Sequence, residues 1–387
     1  MTIEDLQSLF FGTYGASNEP LHIYFSPGRV NLIGEHTDYN GGFVLPCAIS
    51  FGTYCCIRKT KSPSLYCTSA QITHKHNIPI YSIEKQSSYG WANYILGVYA
   101  QFVKFQLQAP HGYELLVWGN VPRGAGLSSS AALEMAVAYA INDIEQYGLS
   151  VPQLARMCQT AEHEYTGVHC GIMDQFASGM GKQDAAIYLN CTTLEYEHIP
   201  VILDDYTLII GNTNSPHKLE SSKYNERVYE CKQAIQDIQS HMPIKQLADI
   251  SFMEFTRIAE YIPELYRKRA RHVVSEIYRT QQAVEALKQK DIHTFGLLMN
   301  QSHESLKTDY EVTGLHLDTL TFAAQNHSAC IGSRMTGGGF GGSTVSLVRT
   351  SAIDSFIQSV GSEYVSRTGI CAEFYPAHIC NGSHKVL

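Results

Sequence analysis

The chain has 387 residues, 44% hydrophobic and 17% charged, enough apolar content to bury cores and too long for one simple core, so two domains are expected. Thirty-six Asp and Glu against 28 Lys and Arg give a formal net charge of −8. That diffuse acidic balance argues against nucleic acid or an anionic membrane as the main partner, and an anionic substrate would need local cations rather than a basic surface. The 11 Cys are scattered with no CxxC pair, which reads as reduced, buried thiols and not as a zinc site.

The first stretch, from Met1, is acidic and lacks an apolar signal core, and the uncharged run 39–57 is broken by Gly41, Gly42, Pro46 and Gly52. A cytoplasmic protein is expected, and the compact length points to a bacterial source. Residues 3–14 read as a short amphipathic helix and 22–26 as a strand. A compact loop follows, carrying Arg29, Glu35, His36, Thr37 and Asp38 between Gly28, Gly34, Gly41 and Gly42. Charged groups with little apolar cover suit a pocket for a polar small molecule, the alternative being a solvated turn with incidental charges. Residues 44–58 and 65–72 read as strands, with Ser69 near the end of the second. Trp91 opens a helix to about 107; it could stack on a base, though an aromatic at a helix start usually belongs to a core.

Residues 113–118 read as a strand, followed by Gly124-Ala125-Gly126-Leu127-Ser128-Ser129-Ser130 and a helical run. Strand, Gly-bearing turn and helix start is an arrangement that holds a phosphate: the backbone approaches closely and free N–H groups meet the anion at the positive dipole end. The alternative is a plain helix start with a serine cap. A second helix, 151–165, carries Glu162 near its end. Asp174 follows Gly171-Ile172-Met173 in an apolar setting, where a carboxylate needs a partner, unless it only caps a helix.

Beyond this point 185–189, 194–198 and 206–211 read as strands, 223–240 as a long helix with Tyr224 and Arg227 in its first turns, and 249–311 as largely helical. The basic runs Arg267-Lys268-Arg269 and Arg271-His272 read as a solvated face. Gly337, Gly339 and Gly342 satisfy a dinucleotide fingerprint, but 344–348 is β-branched and alternating, so a strand follows where that fingerprint needs a helix. The stretch reads instead as a tight loop between strands, close to the first Gly-bearing turn. A P-loop is absent: the only Gly-Lys pair, Gly181-Lys182, is followed by Gln183.

Taken together, Glu35-His36-Thr37-Asp38 within 27–42 resembles the signature of galactokinases. Residues 121–134 resemble the ATP motif of the wider GHMP small-molecule kinases, 332–348 their third motif, and 170–175 a further galactokinase stretch. Departures are Asn190, where the family often has Asp, and His169, where Pro is frequent. The resemblance implies a two-domain α+β fold with the active site between an N-terminal domain, 1–195, and a C-terminal domain, 196–387. It implies transfer of the ATP γ-phosphoryl group to the C1 hydroxyl of α-D-galactose, the first step of galactose catabolism by the Leloir route. By motif, Asp174 would be the base and Arg29 its partner at the transferring phosphate. Glu35, His36, Thr37, Asp38 and Tyr224 would bind the sugar, Gly124 to Ser130 the phosphates, Ser69 the nucleotide, and Ser130 with Glu162 would ligate Mg²⁺. One hydroxyl and one carboxylate suit Mg²⁺, which keeps oxygen ligands and few protein contacts. A kinase for another sugar such as N-acetylgalactosamine, and a non-catalytic regulator binding galactose and ATP, stay open; no obligate protein partner is expected.

Overall fold

The computed structural model describes residues 1–122, 124–215 and 220–387, with the side chains of 220–222 and all of Arg123, in the first Gly-bearing turn, outside the description. Helix α1 (Ile3–Tyr14) starts at a capping box in which Thr2 and Asp5 each bond the other's backbone N–H. Strands β1 (His22–Asn31), β2 (Phe43–Val44), β3 (Pro46–Thr60), β4 (Ser64–Ser69) and β5 (His76–Pro79) follow, then α2 (Ala92–Lys104), β6 (Gly112–Gly119) and three helices: α3 (Ser129–Glu145), α4 (Val151–Tyr165) and α5 (Met173–Met180). The hairpin β7 (Ala185–Asn190) and β8 (Tyr196–Pro200) leads to β9 (Tyr206–Asn212). A helical region comes next, α6 (Glu220–Gln239), α7 (Phe252–Ile258), α8 (Glu264–Lys288), α9 (Ile292–Ser305) and α10 (Gly314–Gln325). The chain closes with β10 (Cys330–Thr336), β11 (Ser343–Arg349), α11 (Ile353–Thr368), β12 (Glu373–Ala377) and β13 (His384–Lys385).

The first sheet has the order β13-β1-β3-β6-β4-β5, antiparallel except for β4 beside β6. Its side chains alternate between two cores, as the two-residue strand period requires. Cys55 and Ile57 of β3, with Leu115 and Val117 of β6, join the core with α2 to α5, while Cys56 and Leu116 join Leu6 and Phe10 of α1 on the other face. Full burial of Phe10 contributes about 2–3 kcal/mol. The second sheet has the order β10-β11-β9-β12 and the third β2-β7-β8.

One core ties the first sheet to the second. Val30, Leu32, Cys47 and Ile49 meet Leu208, Ile210, Val345 and Leu347 there, and Ala125 and Leu127 of the first Gly-bearing turn are buried among them. The turn is thus anchored by its two apolar side chains and free to present its backbone. The expected division at 195/196 falls inside the β7–β8 hairpin, and the last strand, β13, pairs with β1. The fold is mixed α+β. All 11 cysteines are free, and among the described residues no helix is long and apolar enough to cross a membrane.

The basic runs on α8 are not one solvated face. Arg269 and His272 are buried. Arg269 Nε donates to Glu230 Oε2 at 2.7 Å and Nη2 to Glu311 Oε2 at 2.8 Å, and His272 Nε2 meets the Glu35 carbonyl at 3.1 Å. A buried guanidinium is tolerated because carboxylates from two other elements meet its fork.

Candidate active site

Strand β1 shifts register between Pro27 and Arg29, and the chain there runs against the Gly-bearing turn. Arg29 N–H donates to the Leu127 carbonyl at 3.2 Å. A Cβ on Gly28 would strike that same carbonyl, so only glycine permits the approach. The buried Arg29 side chain then faces the cleft. Its Nε and Nη2 donate to the two Asp174 oxygens, each at 2.7 Å, and Nη1 donates to the Gly126 carbonyl at 2.9 Å. Burial alone would discharge this guanidinium; the Asp174 carboxylate, with Glu35 and Asp38 behind it, outweighs burial and raises its pKa above the ordinary value.

Asp174 lies in the first turn of α5, where the helix dipole favours an anion, and remains 24% exposed toward the cleft. Ser128 donates to its Oδ2 at 2.6 Å. Ser128 has a left-handed backbone, φ 59, and makes no capping bond to α3, so its hydroxyl serves the carboxylate instead of the helix. Gly124 and Gly126 also have positive φ, 68 and 66. The turn consequently leaves the α3 N-terminus open beside Ser129 and Ser130.

The loop after β1 wraps a cleft of about 540 Å³ lined by Arg29, Glu35, His36, Asp38, Ser128 to Ser130, Glu162, Asp174 and Tyr224. Asp38 stands in it against Gly171, where a Cβ would collide with its carboxylate. Burial, then the neighbouring Asp174 charge, pushes the Asp38 carboxyl up to about 7. His36 Nδ1 meets Tyr39 Oη at 2.9 Å, and Tyr39 meets Tyr310 at 2.7 Å. Burial, helped by His272, Arg227 and Arg334, holds the His36 imidazole down to about 3, so it is neutral. Its ring packs against Tyr224, centroids 5.7 Å apart.

Glu35 lines the cleft but is almost wholly buried and spends its carboxylate on the protein. It accepts from Asn31 Nδ2 at 2.9 Å, Arg334 Nη1 at 3.3 Å and the Gly337 N–H at 2.7 Å. Thr37 does not reach the cleft: it is fully buried and donates to the Phe43 carbonyl at 2.7 Å, stapling the loop. Ala125 and Leu127 contribute backbone only, their side chains being core. Ser69 lies in a neighbouring cavity of about 570 Å³ that shares Ser129 and Ser130 with the cleft. Trp91, Tyr94 and Trp118 line it too, so both tryptophans of the chain face one cavity. Trp91 also packs against the first core, as expected of an aromatic at a helix start.

The third glycine stretch is a β10–β11 hairpin loop and not a dinucleotide site. A Cβ on Gly337 would lie 3.2 Å from the Gly126 carbonyl, so the two Gly-bearing turns face each other across the cleft. Glu162 carries the hydroxyl of Ser130, the thiol of Cys170 and the amide of Gln175; burial, then the Asp174 charge, raises its pKa against those bonds. Ser130 and Glu162 thus form one hydroxyl–carboxylate pair at the cleft wall. Among the described residues no group of three or more His, Cys, Asp or Glu could hold a metal. A hard cation that keeps water and substrate phosphates as its other ligands fits such a pair. Sequence reasoning missed Gln175, Cys170, Trp118 and Arg334; of these, Gln175 and Cys170 carried a signal in the stretch around Asp174 and Arg334 in the third glycine stretch, while Trp118 carried none.

Three family profiles match in chain order: a galactokinase galactose-binding signature over residues 8–59, a GHMP kinases N terminal domain over 93–182 and a GHMP kinases C terminal over 283–366. A galactokinase of Fusobacterium nucleatum is 46% identical over 369 residues, 94% of each chain. A galactokinase of Bacillus subtilis is 42% identical over 386 residues, 99% of each. The crystal structure of Lactococcus lactis galactokinase complexed with galactose has a TM-score of 0.97 at 40% identity and covers 100% of both chains. A Methanococcus jannaschii mevalonate kinase, with a TM-score of 0.66 at 18% identity over 94% of this chain and 99% of that one, shares the fold. The near-full-length identity and the three ordered profiles converge on one conclusion: the chain belongs to the galactokinase family of GHMP kinases and is an ATP-dependent sugar kinase.

Proposed function

We propose that this enzyme transfers the γ-phosphoryl group of ATP to the C1 hydroxyl of α-D-galactose, giving α-D-galactose 1-phosphate and ADP, the first step of the Leloir route in the cytoplasm. The observation that carries the reading is the Arg29–Asp174–Ser128 constellation, placed where the sugar loop and the phosphate turn meet. Asp174 accepts the C1 hydroxyl proton as that oxygen attacks the γ-phosphorus and the bond to the β-phosphate bridging oxygen breaks. A positioned base of this kind contributes about 10²–10⁴-fold. Arg29 spans Asp174 and the Gly126 carbonyl, so its cation lies between base and phosphate turn, where charge gathers in the transition state.

Asp38, His36 and Tyr224 read the sugar hydroxyls, and Glu35 and Thr37 hold the loop that presents them. Gly124 to Ser130 cradle the phosphates by backbone N–H groups, and the cavity of Ser69, Trp91 and Trp118 takes the nucleoside. Ser130 and Glu162 would hold Mg²⁺, which when bound offsets phosphate charge. The division of labour follows two parts of the chain, 1–195 with the sugar loop and phosphate turn and 196–387 with the third motif, with the last strand returned to the first sheet. The reading is tested by ADP release from Mg·ATP with galactose, N-acetylgalactosamine, glucose, mannose and arabinose, the phosphate position being read by NMR. Galactose 1-phosphate as the main product is expected. Binding of galactose and ATP without turnover would make the protein a regulator, and preference for N-acetylgalactosamine would reassign the sugar.

A further inference from the structure

Gln175 follows Asp174 on α5 and is wholly buried. Its amide nitrogen lies 2.6 Å from Glu162 Oε2, on α4, and 3.2 Å from Glu134 Oε2, on α3 one turn beyond Ser130. Two buried carboxyl groups from two helices therefore share one amide, and each takes one of its two hydrogens. No other uncharged side chain of that reach supplies two donors from a single atom. A carboxylate in its place would offer neither hydrogen, and an apolar side chain would take the amide donor away from both carboxyls.

The bond from the Cys170 thiol, 3.5 Å, also ends on Glu162 Oε2. Both of these contacts end on Oε2, and the Ser130 hydroxyl meets the same carboxylate at the cleft wall. Because α5 carries Asp174 and Gln175 in succession, one helix fixes the base and the cation-facing carboxylate together. We propose that Gln175 is the positioning residue that aims Glu162 at the nucleotide-bound cation and so sets how strongly Mg²⁺ promotes ATP binding. The proposal rests on the functional reading above. Groups that orient a ligating carboxylate typically change metal affinity by about 10–100-fold.

The test uses Gln175→Met, which keeps the volume and removes both donors, and Gln175→Asn, which keeps the amide but withdraws it from Glu162. ATP is titrated with and without Mg²⁺ while the fluorescence of Trp91 and Trp118 is followed. Mn²⁺ binding to the enzyme with ADP is read by EPR, and sugar KM and Tm are recorded. Both variants are expected to lose about tenfold of the Mg²⁺ enhancement of ATP affinity and of Mn²⁺ affinity. Sugar KM should stay near the wild-type value, and excess Mg²⁺ should restore part of kcat. If the Met variant does not fold, the Asn variant carries the same expectation. Wild-type metal response in a folded variant, whatever its Tm, overturns the proposal alone. Absence of any Mg²⁺ effect in the wild type overturns the metal assignment to Ser130 and Glu162, and this proposal with it.

Discussion

Asp174→Asn separates the proposed base role of Asp174 from its part in the scaffold. The carboxylate receives three donors, two from Arg29 at 2.7 Å and one from Ser128 at 2.6 Å. An asparagine keeps Oδ1 for Arg29 Nε but puts an N–H₂ where Oδ2 was, donor against donor with Arg29 Nη2. Ser128 can turn its hydroxyl and accept from that amide, which recovers one bond. Loss of one charge-assisted bond at a partly open site costs about 2 kcal/mol of stability, a fall in Tm of a few degrees, and leaves the fold intact. The catalytic loss is larger, because an amide cannot accept the hydroxyl proton. Removal of a general base costs about 10²–10⁴-fold, or roughly 3–5 kcal/mol at 1.36 kcal/mol per decade. Rapid-quench single turnover with saturating galactose and Mg·ATP reads that step directly, and ATP affinity by Trp fluorescence should move less than about threefold. A transfer rate within tenfold of wild type in the folded variant would refute the base assignment.

Asp38→Asn should raise sugar KM strongly and ATP KM little, and its stability effect should depend on pH. A carboxyl whose folded value, about 7, stands above its unfolded one costs stability wherever it is charged in the fold. That cost is whole above pH 7 and is shed as pH falls toward 4, so the variant should gain more Tm at pH 8 than at pH 5; equal shifts would mean that Asp38 is not desolvated. Gly171→Ala drives a methyl into the Asp38 carboxylate and should weaken galactose binding at least tenfold in calorimetry while sparing ATP. Gly28→Ala strikes the Leu127 carbonyl and should do the reverse, weakening ATP more than the sugar. Because both tryptophans line the cavity proposed for the nucleotide, ATP should change intrinsic fluorescence well beyond any change caused by galactose; equal responses would dissociate that cavity from the nucleotide.

The local pattern of the chain was legible because periodicity and turn chemistry are local. Residues 3–14 and 151–165 are the helices read from the sequence, and 206–211 is the strand β9 short of one residue. The strand at 22–26 was cut short: β1 runs on through Arg29 to Asn31, because pairing with β3 and burial override the Pro and Gly that end strands in isolation. The third glycine stretch was placed correctly between strands from the β-branched run after it.

The sequence by itself determined which residue types could do the chemistry, since motif spacing fixes identity and order: Arg29, Asp38, Asp174 and the serine run stand together at the cleft. It could not say which oxygen of Glu162 is held, that Glu35 spends its carboxylate on Gly337, or that Arg269 is buried and not solvated. Each of those is a contact between separate elements, from 13 residues apart for Glu162 and Gln175 to 302 for Glu35 and Gly337, settled by which faces pack and which partners satisfy a buried charge. A carboxylate on a loop reads the same from its neighbours in sequence whether it faces substrate or scaffold. Burial and hydrogen-bond partners, which exist only after the chain has closed on itself, decide between the two.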